Sequence, residues 1–191
     1  NVVANVGSNA SSRVANHNDL GINAIDEVVD VTIDGNKLTD QFGNTTEIKT
    51  GGKYIVNAEN GNDKIVLKTP NKAVANFDIE INGGDGDDYI DLSGLQMASN
   101  RTVFIWGGAG NDTIIGADGL NIIFGDIGTV RKDDDKYIIE ANVDPGVAGN
   151  DIILGGSKKD IIFGGAGDDQ IDGGAGADFI FGDGGRYDET G

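Results

Sequence analysis

The chain has 191 residues, 32 of them Gly and only 2 Pro, and its 14 Lys and Arg stand against 32 Asp and Glu, for a net charge of -18. That length supports one domain with a real core, while so acidic a surface argues against nucleic acid and anionic lipid and favours divalent cations. With no Cys and a single His17, disulfides, thiolate sites and multi-histidine zinc sites are excluded, which leaves metals that take oxygen ligands.

The acids are 26 Asp and 6 Glu, a bias toward the turn and metal-site residue over the helix former. Residues 1–82 carry 11 acids and 7 bases, whereas residues 83–191 carry 21 acids and 7 bases, so the second half concentrates the negative field at net -14. No stretch approaches the roughly 18 to 20 apolar residues that span a bilayer, and the N-terminus lacks the features of a signal peptide. The expectation is a chain with no membrane insertion, flanked by neighbouring domains of a longer parent.

In chain order, residues 1–25, rich in Asn, Ala and Ser, are expected to be an N-terminal cap or linker. Residues 26–82 are read as N-terminal β-solenoid coils with few metal sites, with strands at 28–33, 47–48, 54–56 and 77–81. From 83 onward the chain repeats itself: Gly83-Gly84-Asp85-Gly86-Asp87-Asp88-Tyr89-Ile90-Asp91 recurs at 107–115, 164–172 and 173–181 as G-G-x-G-x-D-x-(apolar)-x. Weaker copies run over 58–66, 116–124 (Asn121 for Asp), 146–154 (Val147 for the second Gly) and 155–163 (Lys158 for the third).

Each unit is a six-residue Gly/Asp turn followed by a three-residue apolar strand. Alternation along a strand points the eighth residue (Ile90, Ile114, Ile123, Ile153, Ile162, Ile171, Ile180) inward, where successive coils can stack. The spacing sorts the strands onto two sides. Side A takes the strands ending the units at 58, 83, 107, 146 and 164. Side B takes 77–81, 103–106 and the units at 116, 155 and 173.

These residues resemble the RTX (repeats-in-toxin) calcium-binding nonapeptide family, whose repeat is itself an established sequence signature. The resemblance implies an all-β fold, a right-handed parallel β-roll with calcium-binding turns. It also implies a ligand set for several Ca2+ ions: Asp63, Asp88, Asp112, Asp151, Asp160, Asp169 and Asp178 as side-chain ligands. Carbonyls would come from Gly84, Gly86, Gly108, Gly110, Gly149, Gly155, Gly165, Gly167, Gly174 and Gly176, with Asp126 and Asp183 as further acids. Calcium takes six to eight oxygens, so one turn supplies about half a shell and two stacked turns complete it. Edge A is expected to hold most ions, because Asn121 replaces one Asp on edge B and Lys158 and Lys159 crowd another of its turns.

The repeat is interrupted between 125 and 146. An inserted β-hairpin is expected at 129–145, with strands at 129–131 and 136–140, protruding and dispensable for calcium binding. Outward residues Ile122, Phe124, Ile161, Phe163, Phe179 and Phe181 form an apolar stripe that serves either a partner or another part of the chain. Trp106 reads as packing, His17 as a loop residue.

Catalysis has no foothold: there is no H-E-x-x-H, no G-x-S-x-G and no Cys, and the acids fall at repeat positions that calcium explains. The leading expectation is a non-enzymatic calcium-binding module of a large secreted bacterial protein such as an adhesin, folding outside the cell. Its rivals are the accessory roll of a secreted enzyme and, last, a carbohydrate- or ice-recognising surface.

Overall fold

Alternation is the first thing the chain obeys. In the computed structural model, which describes residues 2–5, 28–49, 51–71, 73–133 and 136–189, all regular elements are strands. β1 (Val2–Asn5) is followed by β2 (Val28–Asp34), which turns Val29, Val31 and Ile33 into the core and leaves the residues between them more exposed. The expected cap over 1–25 lies outside the described residues except for β1.

β2 returns through a two-residue loop, Gly35-Asn36, into β3 (Lys37–Asp40), and β4 (Thr45–Glu47) completes an antiparallel meander. Gly35 sits at φ +62°, the left-handed conformation that such a tight hairpin loop favours. Residues 37–47 are therefore not another coil, as the 47–48 strand had implied, but a fold-back along one edge of a sheet.

From β5 (Lys53–Asn57) the chain alternates between two parallel sheets. β6 (Lys64–Lys68), β8 (Tyr89–Asp91), β10 (Thr113–Ile115), β14 (Ile152–Gly156) and β16 (Gln170–Gly174) join β2 in one sheet. β7 (Asp78–Asp85), β9 (Thr102–Ala109), β11 (Leu120–Phe124), β15 (Ile161–Phe163) and β17 (Phe179–Phe181) join β1 and β5 in the other. These are the two sides that the repeat spacing had separated.

The register aligns the inward positions. Ile65, Ile90, Ile114, Ile153 and Ile171 pair strand to strand in one sheet, and Val56, Ile81, Ile105, Ile123, Ile162 and Ile180 in the other. All but the last in each ladder are fully buried and belong to one cluster shared by both sheets. β-branched residues suit this geometry, since their stiff side chains pack well on a pleated surface. Ile180 is 48% exposed because β17 has a neighbour on one side only.

A third layer lies outside this core. β12 (Thr129–Asp133) and β13 (Lys136–Ala141) form the expected antiparallel hairpin, and β18 (Gly185–Asp188) pairs antiparallel with β13. The hairpin does not protrude. Ile139 and Ala141 pack on Phe104, Ile122, Phe124, Ile161 and Phe163, with Trp106, Val130, Tyr137, Phe181 and Tyr187 around them. The apolar stripe is thus largely covered by the chain's own insertion, and within it Trp106, Phe124, Phe163 and Phe181 stack with centroids 5.6, 5.3 and 4.6 Å apart. Trp106 is a packing residue, its indole N–H donating to the Gly128 carbonyl at 3.0 Å.

Candidate metal-binding turns

The chain crosses from the seven-stranded to the eight-stranded sheet along edge A and returns along edge B. On edge A the turns end at Asp63, Asp88, Asp112, Asp151 and Asp169, and the first four are buried to within about 2% of full burial. Parallel pairing brings these residues into a column. The amide of Asp63 donates to Asp88 Oδ1, that of Asp88 to Asp112 Oδ1, that of Asp112 to Asp151 Oδ1, and that of Asp151 to Asp169 Oδ1, at 2.8 to 2.9 Å. Edge B repeats the link from Asp160 to Asp178 at 2.9 Å.

In Asp88, Asp112, Asp151 and Asp169 the Oδ1 atom is thereby satisfied and the Oδ2 atom is not. The Oδ2 atoms of Asp88, Asp112, Asp151, Asp160 and Asp169 and the Oδ1 of Asp126 are buried with no hydrogen-bond donor. A buried oxygen without a partner costs a few kcal/mol, more when it is charged. Burial accordingly pushes Asp88 and Asp151 up to about 7, Asp112 up to about 8 and Asp160 up to about 6, with neighbouring carboxylates adding to the rise. Carboxylates one strand apart, about 4.8 Å, repel by roughly 3 kcal/mol at an effective dielectric of about 20.

What lies beside these oxygens is a carbonyl and an empty glycine. A Cβ on Gly107 would stand 2.3 Å from Asp112 Oδ2 and 2.2 Å from the Gly125 carbonyl oxygen. Gly83 faces Asp88 Oδ2 and the Gly107 carbonyl, Gly125 faces Asp151 Oδ2 and the Gly164 carbonyl, and Gly164 faces Asp169 Oδ2 and the Gly182 carbonyl in the same way. On edge B, Gly155 faces Asp160 Oδ2 and the Gly173 carbonyl. Each such seat joins a carboxylate oxygen to the carbonyl oxygen of the next turn, a donor set of hard oxygens that fits calcium. Among the described residues no three acidic side chains converge on one point, so a cation here would draw on carbonyls as well as carboxylates.

The other predicted glycines do a steric job. Gly108 and Gly110 approach the carbonyls of Gly84 and Gly86, where a Cβ would come within 1.9 and 2.3 Å, and Gly149, Gly167, Gly174 and Gly176 make the same approach to Gly110, Gly149, Gly156 and Lys158. Gly108 also has φ +120°, which a side chain rarely tolerates. Gly165 meets Asp126 Oδ2 instead of a carbonyl. The interrupted turn thus substitutes a carboxylate for a missing main-chain oxygen, and Ala166 N–H donates to it at 2.5 Å.

One sequence expectation changes here. Lys158 and Lys159 do not reach Asp160: Lys158 Nζ lies 3.7 Å from Asp118, and Lys159 Nζ donates to Tyr187 Oη at 2.8 Å with Glu189 at 3.7 Å. Lys158 gives its turn only a carbonyl, against Gly176. Asp183 is solvent-exposed, outside the buried column. Of the first-position glycines only Gly155 was among the sequence expectations; the carbonyls of Gly107, Gly125, Gly164, Gly173 and Gly182 were missed, though the recurrence of that first Gly across the full repeats was the available signal.

Parallel strands stacked in register, with each turn presenting hard oxygen donors to the next, define a calcium-binding repeat protein. Comparison with known families matches the RTX calcium-binding nonapeptide repeat in four copies, over residues 80–94, 104–129 and 145–180. No curated protein and no solved structure matches the chain. Among the described residues no helix is long and apolar enough to cross a membrane.

Proposed function

We propose that the chain is a calcium-dependent structural module of a large secreted protein, with a right-handed β-roll over 83–191, an inserted hairpin at 129–145, and coils over 26–82 that carry few ions. Asp88, Asp112, Asp151 and Asp169 hold the ions along edge A with carbonyls of neighbouring turns, Asp126 contributes at the interrupted turn, and edge B holds fewer, around Asp160 and Asp178. The observation that carries this reading is the column of buried carboxylate oxygens with no donor. Net charge and the absence of Cys suit a chain that stays unfolded where calcium is scarce and folds in millimolar calcium outside the cell.

The test is to count bound calcium by native mass spectrometry in the wild type and in Asp112→Asn. Asp112 sits between two neighbouring turns, so its loss should remove at least one ion. A folded variant that binds as many ions as the wild type overturns the assignment.

A further inference from the structure

One turn on edge B departs from all the others in what fills its seat. Gly116 occupies the first position of its unit, and a Cβ there would lie 1.9 Å from the Gly155 carbonyl oxygen, as at the edge A seats. The second neighbour, however, is a nitrogen: Asn121 Nδ2, at 3.0 Å, stands where the other seats have an Asp oxygen.

That nitrogen is fully engaged. Its two hydrogens are shared among the carbonyls of Ala117 at 3.0 Å and Gly119 at 3.1 Å and Asp160 Oδ1 at 2.8 Å, with the Gly155 carbonyl at 3.5 Å. The other end of the amide is used as well, Asn121 Oδ1 accepting from Ala117 N–H at 3.0 Å. Asn121 is fully buried, yet neither of its side-chain polar atoms is left without a partner. The contrast with Asp88, Asp112, Asp151, Asp160 and Asp169 is complete, since each of those keeps one buried oxygen with no donor.

We infer that the Asn121 amide nitrogen occupies a calcium seat between the turns at 116–121 and 155–160, gathering the oxygens that an ion would gather, so that this junction is closed without metal. The inference rests on the reading that the glycine seats bind calcium. The chemistry is direct. An NH2 group directs its partial positive charge at two carbonyls and one carboxylate, and it brings no second negative charge beside Asp160. A seat built from an Asp pair needs an ion to be stable; this one is stable as the chain makes it. Asp160 shows the effect, because its Oδ1 accepts from the Asn121 side chain at 2.8 Å in addition to the backbone N–H, where the Oδ1 atoms of Asp88, Asp112, Asp151 and Asp169 accept a backbone N–H from the neighbouring turn. Edge B thus has fewer ions for a reason that lies in Asn121 rather than in the lysines.

The side chain thereby decides metal occupancy at this junction, since Asp in place of Asn removes the donor and restores the carboxylate oxygen. The full chain and its N121D variant should be compared by native mass spectrometry over a calcium titration, with a crystal of the wild type in calcium as the second measurement. N121D should bind one more calcium ion than the wild type. The crystal should show ions at the Gly107 and Gly125 seats and none within ligand distance of both Ala117 and Gly155 carbonyls. An ion at that place in the wild type, or a folded N121D with an unchanged count, overturns the inference. A wild type that binds no calcium at all overturns the underlying reading first, which separates the two failures. Should N121D not fold, the wild-type crystal decides alone.

Discussion

With calcium chelated, residues 83–191 should lose their strand signal, and restoring millimolar calcium should return it. The reason is the column of Asp88, Asp112, Asp151 and Asp169, whose second oxygens have no donor and whose neighbours along the column are also acids. Repulsion of roughly 3 kcal/mol per adjacent pair, repeated at several junctions, is comparable to the whole stability of a domain, about 5 to 15 kcal/mol. An ion that binds only the folded chain adds its binding energy to folding. Far-UV circular dichroism and hydrodynamic radius with and without chelator measure this, and a spectrum and radius indifferent to complete calcium removal refute it. Magnesium should replace calcium poorly, because it holds its waters and demands octahedral geometry.

Protons should partly stand in for the ion. In the metal-free fold Asp88, Asp112, Asp151 and Asp160 are pushed up to between about 6 and about 8, whereas in the unfolded chain they ionise near 4. Between these values the folded state holds the proton and the unfolded state has lost it, so the metal-free fold is favoured at the acid end and weakens as pH rises from about 4 to 8. In chelator, more strand signal is therefore expected at pH 5 than at pH 8. The reverse order would show that these carboxylates are not what limits folding.

Removing the hairpin should be the most damaging change outside the metal turns. Replacing residues 129–145 with a short glycine link uncovers Ile122, Phe124, Ile161 and Phe163, all buried beneath β13 and its neighbours, and strips β18 of its pairing partner. Burial of each such side chain contributes about 1.5 to 3 kcal/mol, so the four together contribute on the order of 6 to 12 kcal/mol. The calcium-loaded deletion should melt more than about 10 °C lower, bind an apolar dye, or aggregate. A deletion variant with the wild-type melting temperature and no dye binding would show that the hairpin is only an ornament.

The repeat was legible because its two signals are strictly local: Gly and Asp mark each turn, and one apolar residue at a fixed offset marks each strand. Sorting by spacing alone placed β6, β8, β10, β14 and β16 on one sheet and β7, β9, β11, β15 and β17 on the other, as the pairings show. The meander was less visible. Gly35-Asn36 signals a hairpin, but the run from 28 to 48 lacks the repeat, and coil spacing was extended into it where turn chemistry should have governed. The docking of the hairpin was hidden for a different reason. Tyr137, Ile139 and Ala141 alternate as the residues of any half-buried strand do, and nothing in a one-dimensional pattern says that the face they cover is the outward row of Ile122 to Phe163. Lys158 and Lys159 turn away from Asp160 because long side chains go where partners are, and Asp118, Tyr187 and Glu189 lie far from them in sequence or outside the nonapeptide pattern.

The meander of β2, β3 and β4 makes the two directions along the stack unequal. It finishes one end of its sheet with antiparallel strands and with no acidic column of its own, while each coil beyond it contacts chiefly the coil before and the coil after. Such nearest-neighbour architectures assemble as a one-dimensional growth process. Gly35, Gly43 and Gly51 in the 28–57 region face no carboxylate or carbonyl, so its order should depend on metal less than that of the coils beyond it.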